Sequence, residues 1–371
     1  MWVCGRADRA NRSGFALGGG KPTGAEPRQT PGLVGSVTPR EILHDRVVRH
    51  LDTLSTAAAC SWLLGHGLLG FCSNPAIRPE LRACLRPHRR SVLARNLLNI
   101  RLFQDCALAL GDIPVAPLKG IALLDTIYRE DPGIRPMGDI DVLVPRARLA
   151  EAVARLAPLR LHEDYVSHHL RSVMHHRHLQ GPRGAVEVHS HLGLVYGRSS
   201  TWDDLPLHPG TAHERPVWLL AEEALLVHLL THALKHRLFE RLVWIDEILV
   251  LAELLSDRAW AAIPELARRL GARNAVAAAV SLLRGALGES TLSAVPALDA
   301  SHTRLALYRA LFAGRVIDPI HPLPSGNRWL SEIRPWLLAD SAIDMGLDMA
   351  RMTVLHLLTR YPRRVGSGAH I

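Results

Sequence analysis

The run Asp139-Ile-Asp141-Val-Leu-Val144 constrains this chain more than any other, because it sets two carboxylates one residue apart in an apolar, β-branched segment. Side chains at i and i+2 of a strand leave the same face, so Asp139 and Asp141 project together while Ile140, Val142 and Val144 point into a core. Two acids on one face repel, and that cost is tolerated where a cation or backbone donors compensate it. A divalent metal carrying a phosphate is one such cation. Taken alone, Asp-x-Asp also occurs in solvated turns and calcium loops.

Upstream lies a short apolar segment, Ile113-Pro-Val-Ala-Pro-Leu-Lys119-Gly120, followed by Ile121 to Tyr128 with the apolar spacing of a helix. A strand, a glycine turn and a helix N-terminus make an anion site from free backbone N–H groups and the helix dipole. Lysine is scarce, with only Lys21, Lys119 and Lys235 in the chain, so a lysine at this turn stands out from the composition. The same pattern also fits an ordinary β–α turn with a surface lysine.

Downstream, Ala185-Val-Glu187-Val-His189-Ser-His191-Leu192 alternates, placing Glu187, His189 and His191 on one face of an expected strand and Val186 and Val188 on the other. Gly181-Pro-Arg-Gly184 is a turn signal, and His175 to Gln180 supplies the partner strand of a hairpin. Three acids on adjacent strands can bind two metals, which clamp the attacking and leaving oxygens of an in-line phosphoryl or nucleotidyl displacement. The alternative for Glu187 is an exposed strand residue.

These residues together resemble a known family. Leu118-Lys119-Gly120, Tyr128, Arg135-Pro-Met-Gly138-Asp139-Ile-Asp141-Val-Leu-Val144 and Val186-Glu187-Val-His189 are similar to the bacterial uncharacterised nucleotidyltransferases of the DNA polymerase β-like superfamily. A further block, His228-x-x-x-His232-x-x-Lys235-His236 followed by Trp244-Ile-Asp246, extends the resemblance over roughly residues 90 to 255. It implies transfer of a nucleoside monophosphate from an NTP, with release of pyrophosphate and dependence on magnesium (two ions, with Mn2+ an alternative). It implies Asp139, Asp141 and Glu187 as catalytic metal ligands, and Lys119, Gly120, Arg135 and Gly138 at the nucleotide phosphates. His189, His232, Lys235, His236 and Asp246 are expected as supporting or substrate residues. The chain departs from the superfamily at the turn, where Gly-Ser or Gly-Gly gives way to Lys119-Gly120, and in a third acid that is Glu rather than Asp. A lysine there contacts a triphosphate as a point charge.

The expected fold is α+β: a small mixed sheet forming a nucleotidyltransferase core over 111–215, flanked by a helical N-terminal segment over 39–110 and a helical C-terminal domain over 216–362. In the N-terminal segment, Leu93, Leu97 and Ile100 with Leu98 and Leu102 beside them are expected to form the apolar stripe. Helical periodicity resumes after Pro216, with a break at the Pro-rich stretch 317–324. Residues 1–38 and the tail 363–371 are expected to be disordered.

Composition fits a soluble enzyme, with 371 residues, 48% of them hydrophobic, able to bury a sizeable core. The net charge of +9 invites a nucleic-acid partner, but the charge is mostly Arg spread along the chain. Aromatics are only 5%, and no basic block carries the interleaved rings of a stacking platform. Arg in place of Lys with Ala and Leu richness reflects a GC-rich genome. The five cysteines have no metal-ligand spacing and read as free thiols in a cytoplasmic protein. Leu54 to Cys72 is too polar for a membrane span. The histidines at 162, 168, 169, 175, 176 and 178 are irregularly spaced and without cysteines, against a zinc site. His228 and His232 have metalloprotease spacing but lack the intervening Glu, so their helix either closes over the nucleotide or packs its polar stripe on the sheet.

Three functional readings follow. The first is a nucleotidyltransferase acting on a small molecule, peptide or protein. The second is an RNA-directed transferase such as a toxin acting on tRNA ends, which predicts a salt-sensitive basic groove beside the acids. The third is a noncatalytic nucleotide-binding scaffold, against which the three retained acids argue.

Overall fold

A strand that carries an acid on one side needs a sheet with one polar face, and the architecture supplies it. The computed structural model describes residues 37–164, 176–195, 198–235, 241–312 and 340. Three helices come first: α1 (Pro39–Asp52), α2 (Thr56–His66) and α3 (Pro79–Leu110). Their starts follow from local chemistry. Thr38 accepts from the Glu41 N–H while Glu41 accepts from the Thr38 N–H, a capping box with Pro39 at the first position. Ser55 caps α2, which ends on Gly67 at φ 72°.

The sheet region then runs β1 (Ala116–Leu118), α4 (Lys119–Thr126), β2 (Ile140–Leu143), α5 (Leu149–Leu156), β3 (His162–Glu163), β4 (His176–Gly181) and β5 (Gly184–His189). These strands form one mixed sheet in the order β1-β2-β5-β4-β3, with β2 and β5 parallel and the other pairs antiparallel. The expected hairpin is present, Gly181 pairing with Gly184 across a Pro182-Arg183 turn. Two further hairpins follow, β6 (His191–Val195) with β7 (Arg198–Thr201) and β8 (Leu207–Ala212) with β9 (Arg215–Leu220). The Trp218 N–H bonds the Val115 carbonyl at 2.8 Å, tying β9 to the β1 edge. The chain continues as α6 (Glu222–Lys235), α7 (Leu242–Leu254), α8 (Asp257–Arg269), α9 (Arg273–Leu287) and α10 (His302–Phe312). The α+β fold with a small mixed sheet and helical flanks is as the sequence implies, and buried apolar side chains run from Leu43 to Tyr308 in one cluster.

Several local expectations are corrected. In α3 the expected stripe is buried only in part: Leu102 is buried and Ile100 packs on the core, but Leu97 and Leu98 are 53% and 65% exposed, and Asn96, Asn99 and Phe103 face inward instead. The reason is polar, since Asn96 Nδ2 donates to the carbonyls of Pro132 and Arg135 at 2.6 and 2.7 Å. The strand expected over 185–192 ends at His189, after which the chain leaves for β6, so His191 belongs to a different sheet. Strand also persists past Pro216, because the β8–β9 hairpin turns on His213 and Glu214 at φ 47° and 62°. That turn usually takes Asn or Gly, so its sequence carried no signal.

The free-thiol expectation fails for Cys60 and Cys84, which α2 and α3 bring to a Cα–Cα separation of 6.5 Å and join as a disulfide. Cys72 and Cys106 are free and buried. Among the described residues no helix is long and apolar enough to cross a membrane. The histidines at 168, 169 and 175, His236, the segment 317–324, residues 1–36 and the tail 363–371 lie outside the described residues.

Candidate active site

Strand register gathers the acids. Leu118 pairs with Asp141, and Asp141 pairs in turn with Glu187 on the parallel neighbour. Paired residues share a face, so Asp141 and Glu187 leave the sheet together, while Asp139, expected on the strand, lies in the bend just before β2 within electrostatic reach of both. Across the hairpin, His178 opposes Glu187 and His176 opposes His189, extending the same face onto β4. The opposite face carries Ile140, Val142, Val186 and Val188, each at most 1% exposed. Burial of that apolar face fixes which way the acids point, since a slip of one residue would exchange the two sets.

Asp141 is the centre of the polar network. Lys119 Nζ donates to its Oδ1 at 2.6 Å and His189 Nε2 donates to the same oxygen at 2.8 Å. The His189 Nε2 also lies 3.4 Å from Glu187 Oε2. Burial disfavours the Asp141 carboxylate, but His189 and Lys119 outweigh it and hold its pKa well below the ordinary range. Lys119 is likewise held charged, burial being outweighed by Asp141, Glu187 and Asp139. His189 is raised in the same way by Asp141 and Glu187, and Glu187 is lowered chiefly by its hydrogen bond from His189. Asp139 differs: burial, Asp141 and Glu187 all push it up, and Lys119 is too weak a counterweight. The face is therefore short of positive charge at Asp139.

Lys119 reaches Asp141 because of its backbone. It sits at φ 45°, in the left-handed region where a non-glycine residue costs of order 1–2 kcal/mol. From that position, the first of α4, its side chain reaches Asp141 on β2. Gly120 follows because a Cβ there would lie 2.6 Å from Arg135 Nη1 and 2.7 Å from Met137 Sδ. The segment that delivers Asp139 thus packs directly on the turn that delivers Lys119.

Arg135, expected at the phosphates, is turned inward. Its Nε donates to Glu247 Oε1 of α7 at 2.7 Å, with the two side chains 11% and 1% exposed. Burial raises the Glu247 pKa despite the opposing Arg135 charge. Gly138 has open space where a Cβ would stand, beside the acids. Asp246 is occupied by α1, accepting from Arg40 Nε at 2.7 Å and His44 Nε2 at 3.1 Å. The His232 ring meets Trp244 edge-on at 5.1 Å, in the packing of α6 on α7. The Lys235 side chain and His236 lie outside the described residues.

Two residues near the site, Asn96 and Glu247, escaped the sequence reading. Asn96 holds the loop before Asp139, and its signal was an Asn in the middle of a long helix, where its propensity is poor. Glu247 had only adjacency to Asp246 to mark it. His176, which the sequence reading named among the clustered histidines and set aside as a metal ligand, faces His189 with ring centroids 5.2 Å apart, a contact that follows from the hairpin register. His176, Glu187 and His189 offer ligand atoms within 4.8 Å of one another, a grouping able to hold a metal ion.

A family model for uncharacterised nucleotidyltransferases matches residues 48–288, well over half of the chain. Among curated proteins none matches. Among solved structures, the chain is similar to the solution structure of the antibiotic-resistance factor ANT(2'')-Ia, with 15% identity and a TM-score of 0.34. That similarity covers 46% of this chain and 90% of the other.

Proposed function

The chain belongs to the uncharacterised nucleotidyltransferase family, and from that premise we propose that it moves a nucleoside monophosphate from a metal-bound NTP to an acceptor oxygen, releasing pyrophosphate. The observation that carries the reading is the pairing of Asp141 with Glu187, with Asp139 just before β2 within electrostatic reach of both and Lys119 bonded to Asp141. The donor set fits divalent cations, because three carboxylates converge where positive charge is deficient at Asp139. Asp139 and Asp141 would hold one ion and Asp141 with Glu187 a second, in the manner of oxygen-ligated magnesium. Ions bound there supply charge stabilisation to the reacting phosphate and the acceptor oxygen.

The rest of the work falls to the chain's own groups. The acceptor oxygen bonds to the α-phosphorus as the bond to the β-phosphate oxygen breaks, and pyrophosphate leaves with that electron pair while the acceptor proton passes to solvent. Lys119 and the free N–H groups opening α4 face the charge that develops on the leaving pyrophosphate. Lys119 sits on Asp141 in the structure described, 2.6 Å away, so it carries charge at the site before substrate arrives. Arg135 acts through position: anchored on Glu247, it sets the segment that presents Gly138 and Asp139. His189 orients Asp141 and Glu187 by hydrogen bonding to both.

We read the acceptor as a hydroxyl or phosphate of a small molecule, peptide or protein, because the basic residues form no run interleaved with aromatic rings. The test is transfer of label from each of four NTPs carrying phosphorus-32 at the α or the γ position. The reading expects α-label on an acceptor or on the protein and γ-label only in pyrophosphate. Label from the γ position on the acceptor would instead identify a kinase.

A further inference from the structure

We propose that His176 and His189 add nitrogen ligands beside Glu187, so that these three residues form a first-row transition-metal site adjoining the two aspartates. Three observations carry it. The register places His176 directly opposite His189, and Glu187 two residues earlier on the same strand, so three ligands leave one face of two adjacent strands. The Glu187 carboxylate stands between the imidazoles, with Oε2 at 3.4 Å from His189 Nε2 and Oε1 at 4.0 Å from His176 Nε2. The side chains are 28%, 21% and 11% exposed for His176, Glu187 and His189, so an ion can enter from solvent and keep coordination positions for water or substrate.

Ligand chemistry separates this site from the aspartates beside it. Magnesium demands oxygen ligands in near-ideal octahedral geometry, which Asp139 and Asp141 offer. Two imidazoles and one carboxylate suit the series from Mn2+ to Zn2+, whose affinity for nitrogen rises from Mn2+ to Cu2+ and falls back at Zn2+. Asp141 Oδ1 accepts from that same His189 Nε2 at 2.8 Å, so an ion bound through this nitrogen would take the place of the proton and lie next to Asp141, which links the two sites. Placing this ion on the acceptor side of nucleotidyl transfer rests on the proposed function, whereas its binding does not.

The experiment titrates Zn2+ and Mn2+ into the full chain and follows heat for both ions and the electron-spin-echo spectrum for Mn2+, in wild type, His176→Gln, His176→Ala and Asp139→Asn. Circular dichroism confirms that each variant is folded. The proposal expects one Zn2+ site weakened at least about 10-fold in both His176 variants and retained in Asp139→Asn. It also expects nitrogen couplings on bound Mn2+ that diminish in His176→Gln, and Zn2+ that equimolar Mg2+ does not displace. Zn2+ affinity unchanged in folded His176→Gln overturns the proposal, as does displacement by equimolar Mg2+. NTP binding is measured in parallel. A zinc site that depends on His176 in a protein that binds no NTP would remove the nucleotidyl reading and leave the metal site standing.

Discussion

Glu247, 1% exposed on α7, accepts a hydrogen bond from Arg135 Nε at 2.7 Å, across 112 residues of sequence. The pair ties the helical C-terminal part to the segment that ends in Asp139 and Asp141. Asn96 of α3 holds the Arg135 carbonyl from the other side at 2.7 Å, so the approach to the acids is clamped by both helical flanks.

Removing one member of this pair should be costly. Glu247→Ala leaves a buried guanidinium uncompensated and is expected to destabilise by about 3–5 kcal/mol in denaturant unfolding. The double variant Arg135→Met, Glu247→Leu should recover much of that loss, because no buried charge remains. A double variant as unstable as Glu247→Ala would show that packing, rather than charge, holds the contact.

Gly120→Ala should act on the same segment by volume. The added Cβ would stand 2.6 Å from Arg135 Nη1 and 2.7 Å from Met137 Sδ, so both must move. A loss of about 1–3 kcal/mol is expected from such overpacking, with weaker magnesium-NTP binding because Asp139 follows Met137 by two residues. Calorimetry at matched temperature checks both, and unchanged affinity would separate the loop position from nucleotide binding.

Acid should weaken the tie between α1 and α7. Burial would raise the Asp246 carboxyl, but His44 and Arg40 hold it at about 2, below its ordinary 3.8. A carboxylate depressed in the folded state adds stability that is complete above its unfolded pKa and is lost as pH falls through the folded one. The difference corresponds to about 2 kcal/mol, lost between about pH 4 and pH 2. Urea unfolding of wild type and Asp246→Asn should show a gap that is full at pH 5 and closes toward pH 2. A gap independent of pH would mean that Asp246 contributes by shape alone.

The strands were legible where one face had to be apolar. Ile140, Val142, Val186 and Val188 declared which face of each strand is buried, and Asp141 and Glu187 followed from alternation, whereas their pairing came from the fold. Residues that act on loops left weaker marks. Asn96 reads as a poor helix former until the carbonyls of Pro132 and Arg135 are in place, and a leucine count puts Leu97 and Leu98 inside α3's buried face. The inward turn of Arg135 depends on Glu247, a contact that no local pattern encodes. The turn at His213 and Glu214 and the Cys60–Cys84 bond are set by tertiary packing in the same way.

The central claim is that Asp139, Asp141 and Glu187 bind a nucleotide through metal. Isothermal titration of the four NTPs with and without magnesium, on wild type and on Asp139→Asn, Asp141→Asn, tests it most directly. The account predicts magnesium-dependent binding of at least one NTP, lost in a double variant that remains folded by circular dichroism. Binding that survives in the double variant, or that is unaffected by magnesium, would contradict it.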